Sequence, residues 1–449
     1  MEKIRIIIQV VSSPEKLVET SPLVEKVMSF EGFSMDKSYS PQMVTRPKRQ
    51  ISFEEDAMSI GFGPTYPGKE PTSLVRGEFE SREQVDALIQ HVQIGEVKDI
   101  VGIFSDPLIQ TMPPICPGDP PEGDHKDVFN LLDVADLHGQ GLDGNSTRLA
   151  IVDTGINVEY LTNKGVNVKL DANNSWAPPS SPPGNMPGQY PVDHGTMCTF
   201  DALIAAPEAK ILDIALLQTQ RAGDTVMSGF LSDAIIAYNH LLNFINTQFP
   251  NNAKLIVSNS WGMFHPDWDF PPTHPSNYSD NPNHPFNLIV ESLAEAGADI
   301  LFAAGNCGSH CPDGRCRGVT EEAIYGANSH DLVTCVAGID VKKNWVGYSS
   351  EGPGRLNKCK PDIAAYTHFK GSEVYEADGG TSAACPVAAG IVAALRSKHS
   401  AAEISPIQMR AMLCKTAKEK LWYAGHSMKY GFGIIDPFQV ISKYGDHLT

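Results

Sequence analysis

A hydroxyl that follows two glycines and opens a run of small residues stands in Gly379-Gly380-Thr381-Ser382-Ala383-Ala384-Cys385-Pro386-Val387-Ala388-Ala389-Gly390. Glycine allows a tight bend with no Cβ in the way, and Pro386 is tolerated if it lies in the first turn of a helix. Ser382 then sits at a helix N-terminus, where free amides face an anion. Taken alone, such a serine is equally suited to capping the helix. Its hydroxyl is barely ionised at neutral pH, so chemistry there needs a base within hydrogen-bond reach, and a histidine titrating near neutrality serves. His194, in Asp193-His194-Gly195-Thr196, is a candidate for that base. Asp153, in Asp153-Thr154-Gly155, is the group to accept the other ring N–H, fix the tautomer and stabilise the imidazolium. A strand-end aspartate also caps turns, which is the bland reading of Asp153.

These residues are far apart in sequence and need a scaffold that brings them to one edge. After Asp127, short apolar strands at Arg148–Val152, Lys210–Leu217, Lys254–Ser258 and Asp299–Ala303 alternate with helices. One helix is predicted over Ser228–Asn246, with Phe230, Leu231, Ile235, Tyr238, Leu242 and Ile245 at helical spacing, and another over Asn287–Ala296. The alternation predicts an α/β fold, a mostly parallel twisted sheet with helices on both faces. In such sheets sites gather outside the carboxyl ends of the strands. Asp153, Ser260 and Asn306 each come at or just after such an end.

The blocks AIVDTGI, DHGT, SNSWG, AAGNCG and GGTSAACPVAAG, in that order, resemble the subtilisin-like serine peptidases, and the likeness runs from about Asp127 to Pro437. The order Asp, His, Ser is also that of subtilisin. The resemblance implies a subtilisin-like core and a serine endopeptidase that forms an acyl-enzyme on Ser382, with His194 and Asp153 completing the triad. It implies that Asn306 is the oxyanion residue, acting with the Ser382 N–H. It further implies that Ser260-Trp261-Gly262 pairs with substrate backbone and that Ala303-Ala304-Gly305 forms the opposite wall of the first specificity pocket. Trp261 reads either as a wall for a hydrophobic side chain further from the cut or as plain packing. No cofactor is expected.

Departures from the family pattern are Met197-Cys198-Thr199, in place of a second histidine and a small residue, and Val387, where many members have histidine. The run Phe200–Ile211 lacks the Asn- and Gly-rich loop that often binds calcium, so no metal is expected. The segment MFHPDWDFPPTHPSNYSDNPNHPFN reads either as a lid over substrate or as a surface insertion. A peptide-maturing transamidase or macrocyclase, in which an amine replaces water in deacylation, is the alternative enzyme. A non-catalytic binding module is disfavoured because Asp153, His194, Ser382 and Asn306 are all present.

Residues 1–112 read as a separate small α+β domain. Strands at Lys3–Val11, Leu74–Glu80 and Lys98–Phe104, an extended Phe33–Val44, and helices at Pro14–Met28 and Ser81–Val92 give the order of a ferredoxin-like split βαβ unit. It resembles the propeptide of the family, a folding chaperone and product-like inhibitor. The chain's own N-terminal domain is therefore an expected intramolecular partner, beside a peptide or protein substrate. Residues 113–126, rich in proline and glycine, read as a linker, and 127–449 as the catalytic domain. Laid on the family pattern, KDIVGIFSD runs into PLIQTM and puts Met112 in the first pocket. Pro113 and Pro114 follow, and a proline on the leaving side should protect that bond. Self-cleavage after Ile109 or Gln110 is the alternative. A linker reaching at most about 45 Å would let the core fold with the link intact.

The formal net charge of −18 over 449 residues, without a compensating basic run, argues against nucleic acid or an anionic membrane as partner. The apolar N-terminal stretch is too short and interrupted for a signal peptide, and no stretch approaches membrane-spanning length. Nine cysteines without framework spacing suit a reducing compartment. A cytoplasmic protein with mostly free thiols is the expectation. Cys307, His310, Cys311 and Cys316 cluster after Asn306, and a zinc site, a local disulfide and free thiols all remain open. Cys198 and Cys385 read as buried packing residues.

Overall fold

A computed structural model describes residues 3–12, 17, 30–45, 47, 71–97, 99–111, 120–179, 181, 184–220, 227–250, 252–418 and 425–448. The helix expected at Pro14–Met28 lies outside these residues apart from Leu17, as do Met112, Pro113 and Pro114.

Strand β1 (Ile4–Val11) is apolar almost throughout because both of its faces are covered. Together with β2 (Ser34–Met35), β3 (Gln42–Met43), β4 (Thr72–Phe79) and β5 (Ile100–Ser105) it forms an antiparallel sheet of order β2-β4-β1-β5, with β3 also on β4. That is the strand order of the ferredoxin-like arrangement. On one face Ile6, Ile8 and Val10 pack with Val85, Leu88, Ile89 and Val92 of α1 (Arg82–Gln93). On the other, Ile7, Leu74 and Phe104 join an apolar cluster of the following domain. The period-two alternation of a strand separates the two sets.

The chain then enters β6 (Leu108–Thr111), and further on come β7 (Arg148–Val152), β8 (Lys169–Leu170), β9 (Lys210–Ile214), β10 (Thr219–Gln220), β11 (Met227–Phe230), β12 (Leu255–Asn259), β13 (Trp261–Gly262), β14 (Asp299–Ala303), β15 (Thr334–Ile339) and β16 (Ile363–Tyr366). Seven of these make a parallel sheet of order β16-β15-β14-β12-β7-β9-β8. The strand order reverses direction at β7, which lies between β9 and β12, and this is where an open α/β sheet leaves a crevice. A smaller antiparallel sheet has the order β10-β11-β6-β13.

Four helices frame the crevice: α2 (His194–Leu203), α3 (Leu231–Gln248), α4 (Pro285–Glu295) and α5 (Gly380–Arg396). All residues of α2 and α5 are buried. The two helices approach closely at Gly390, where a Cβ would come within 2.2 Å of the Ala202 carbonyl oxygen. The small residues of the GGTSAACPVAAG block thus serve packing as well as chemistry. Helix α3 begins at Leu231, later than its apolar spacing predicts. Residues 227–230 are held extended instead, because β11 pairs with β6 and β10. Tertiary pairing overrides helical spacing there. No helix among the described residues is long and apolar enough to cross a membrane.

Residues 120–126 lie on the catalytic body: Glu122 N donates to the His368 carbonyl and His125 N to that of Lys370. Asp124 forms a capping box with Asp127 that starts the short helix His125–Leu131.

Candidate active site

Asp153 directly follows β7, and His194 is the first residue of α2. Both are buried, and His194 Nδ1 donates to the Asp153 carboxylate, whose oxygens lie 2.9 and 3.0 Å away. Asp153 Oδ1 also accepts the Thr154 N–H at 2.8 Å, and Thr154 Oγ1 accepts the Gly195 N–H at 2.9 Å. The strand end and the helix start are thereby locked to each other beside the imidazole. With its proton on Nδ1, a neutral His194 has Nε2 as its acceptor.

Ser382 lies in the first turn of α5, which starts at Gly380. Pro386 is consequently in the second turn rather than the first, a correction to the expected helix start. Proline has no N–H to give to the carbonyl four residues earlier, which is that of Ser382. Ser260 Oγ donates to that carbonyl at 3.0 Å, and Cys198 Sγ lies 3.5 Å from it. The irregularity thus ties α5 to the end of β12 and to α2. Ser382 Oγ is 3.5 Å from the Ser260 carbonyl oxygen.

Asn306 follows Gly305, whose φ of +109° is open to glycine and strained for other residues. Thr381 sets the orientation of the Asn306 carboxamide. Asn306 Oδ1 accepts from Thr381 N at 2.9 Å and from Thr381 Oγ1 at 3.0 Å, which turns Nδ2 the other way. Thr381 Oγ1 in turn accepts the Gly305 N–H at 3.1 Å. Thr154 and Thr381 lie inside blocks that the sequence singles out, but their positioning roles rest on contacts across the sheet. Asn328 carried no signal at all. Its Nδ2 donates to the carbonyls of Trp261, at 3.0 Å, and Ala303, at 2.9 Å, bracing one wall of the crevice against the other.

Between β11 and β13 lies another part of the chain, β6. Thr111 pairs with Trp261 and Gln110 with Gly262 along one edge of β6, while Gln110, Ile109 and Leu108 pair with Ser228, Gly229 and Phe230 along the other. Its direction is toward Ser260, and so toward Ser382. The Trp261 ring packs on Phe286 and Phe302 and belongs to the apolar cluster that takes in Ile109. The long loop after Gly262 folds around buried Asp269, which accepts from the N–H groups of Phe270, Tyr278 and Ser279 and from the hydroxyls of Ser105 and Ser279. Ser105 N also donates to the Ser276 carbonyl, and His284 Nε2 donates to that of Ser105. Burial pushes the pKa of His284 down to about 4 against the opposing hydrogen bond to Ser105, and its Nδ1 accepts from Phe286 N. The loop is a dock for the N-terminal domain.

The sequence model of the subtilase family matches residues 144–433. The chain belongs to the subtilase family. It is similar to subtilisin E of Bacillus subtilis (strain 168), at 25% identity over 307 residues and 67% of each chain. It is similar to serine protease AprX of the same strain, at 26% over 350 residues, covering 70% of this chain and 72% of that one. With subtilisin of Bacillus pumilus the identity is 25% over 307 residues, 67% of this chain and 92% of that one. Membership makes this subtilase a subtilisin-like serine endopeptidase, a hydrolase.

The cysteine cluster of this subtilase contains a disulfide, Cys307–Cys316, with Cα atoms 5.7 Å apart, and Cys311 is disulfide-bonded as well. Those sulfurs are not available as zinc ligands. Cys198, Cys335, Cys359, Cys385 and Cys414 are free. The Cys198 thiol sits 3.6 Å from His194 Nδ1 and 3.7 Å from Asp153 Oδ2. Burial raises its pKa well above the ordinary value and that of Cys385 to about 12, so both remain neutral thiols.

Asp213, on β9 beside β7, is buried, and burial pushes its pKa up to about 7 even though Oδ2 accepts from Gly188 N at 2.8 Å and Ile156 N at 3.3 Å. Asp153 nearby adds to the rise. The folded chain holds a proton here that the unfolded chain gives up near the ordinary carboxylate pKa. The stability tied to that proton is complete below about pH 4 and is lost as the pH climbs through about 7, by at most about 4 kcal/mol. Asp213→Asn keeps an acceptor for both N–H groups but cannot ionise. It is expected to flatten the fall in melting temperature between pH 5 and pH 8. Equal slopes for the two proteins would show that Asp213 does not titrate there.

Proposed function

We propose that this subtilase cleaves peptide and protein chains through an acyl-enzyme on Ser382 and that its own N-terminal domain holds it latent. Ser382 Oγ bonds to the scissile carbonyl carbon while its proton passes to His194 Nε2, and Asp153 steadies the imidazolium. The electron pair pushed onto the carbonyl oxygen meets the Asn306 amide and the Ser382 N–H. Collapse breaks the C–N bond and the amine leaves with the His194 proton. Water then repeats the sequence and frees the acid.

One observation carries this reading: β6 is an extended segment paired on both edges, and it runs toward Ser260 and Ser382. That is the pose a substrate strand needs, and no other chain fits there while β6 stays. Contacts away from the cleft support an inhibitor and chaperone role. Asp106 accepts from Ser232 N at 2.8 Å and Ser232 Oγ at 2.9 Å, placing an acid at the start of α3. Arg76 reaches Asp233 at 2.9 Å, and the Arg5 guanidinium lies 3.6 Å over the Phe230 ring.

Digestion of a long denatured polypeptide tests the reaction. Each product pair is expected to carry one added water across the broken bond. Joined or cyclic products without that water would shift the reading to a transamidase, and no products even after β6 is displaced would overturn it.

A further inference from the structure

The loop that follows Asn306 is closed by the Cys307–Cys316 disulfide and holds an arginine in one pose. Asp313, 2% exposed, accepts from Arg315 Nε at 3.0 Å, Nη2 at 2.7 Å and the backbone N at 2.9 Å. The guanidinium carbon lies over Phe264, 3.6 Å from the ring centre. With Nε and Nη2 engaged by Asp313, Nη1 is directed at β6. It donates to the Thr111 carbonyl at 2.8 Å and to Gln110 Oε1 at 3.2 Å. Gln110 is itself 3% exposed.

We propose that Arg315 forms a substrate subsite that reads the peptide residue standing where Gln110 stands, selecting glutamate or glutamine over a basic side chain. This rests on β6 occupying the place of a substrate strand. Nη1 carries two protons; one holds a main-chain carbonyl of any sequence, and the other requires an acceptor oxygen on the neighbouring side chain. Asp313 already balances the charge of Arg315, so a carboxamide suffices and a carboxylate adds a charge-assisted bond. A lysine or arginine in that position would offer only donors to a donor. Aspartate is too short by one methylene to reach as Gln110 does.

Hydrogen exchange of the β6 amides in the full chain bearing Ser382→Ala tests this without relying on turnover. Gln110→Lys is expected to exchange about tenfold faster than Gln110→Glu, the scale of one hydrogen bond to a charged group. In an Arg315→Glu background the order should invert, and in Arg315→Met, which keeps length without charge, it should flatten. The same order in all three backgrounds would overturn the proposal. With catalytically intact protein in which Ile109→Ala loosens β6, peptides ending in Xaa-Thr-Met before the cut should show kcat/KM about tenfold higher for Xaa = Glu or Gln than for Lys. Equal values would overturn the subsite. No cleavage of any peptide by this loosened chain would count against the peptidase reading, while the exchange order would still decide the role of Arg315.

Discussion

Replacing Ser382 with alanine is expected to lower peptide hydrolysis by about 10⁶-fold, the scale for losing a triad nucleophile, and to abolish labelling by a serine-directed phosphonate. The fold should survive. Ser382 is fully buried among small residues of α5, and its hydroxyl lies 3.5 Å from the Ser260 carbonyl oxygen. Alanine suits a helix at least as well, so the change in stability should stay within about 1 kcal/mol. The Ser382 carbonyl, which Ser260 and Cys198 hold, is unaffected by the substitution. The measurement is kcat/KM beside a thermal unfolding curve. Undiminished hydrolysis by purified Ser382→Ala protein would remove Ser382 from the mechanism.

Activity in the full chain should be limited by β6. Ile109 is 1% exposed and lies in the apolar cluster with Phe104, Leu217 and Trp261. Ile109→Ala removes buried methyl groups from the strand that fills the crevice, at a cost of about 3 kcal/mol to the closed state. Peptidase activity is then expected to rise by about 100-fold as the open population grows. Intact mass should show the wild type and Ser382→Ala chains uncut alike. The register supports this outcome, since the bonds after Ile109 and Gln110 lie within paired strand, short of Ser260. Rapid Ser382-dependent loss of the N-terminal domain, or an Ile109→Ala protein no more active than wild type, would show that β6 does not hold the enzyme latent.

The sequence by itself determined the class of chemistry and the edge where it gathers. Asp153, Ser260 and Asn306 could be placed at strand ends because apolar strands and their terminating residues are local patterns, readable within a few positions. The succession of strands and helix along the N-terminal segment follows from the same kind of local reading. Chain positions that meet only through long-range pairing were not legible. Residues 228–230 look helical by spacing and become strand because residues 108–110, more than a hundred positions away, pair with them. The choice of partners within Cys307, Cys311 and Cys316 is a matter of which Cβ vectors converge, which spacing does not fix. The loop after Gly262 contains no periodic signal, and its role as a dock depends on Asp269 being desolvated between two domains, which raises its pKa and makes its hydrogen bonds matter. Thr381 and Arg315 illustrate the same division: their identities are plain in the chain, but what each hydroxyl or guanidinium reaches is decided by side chains that only the tertiary fold brings within 3 Å or so of them.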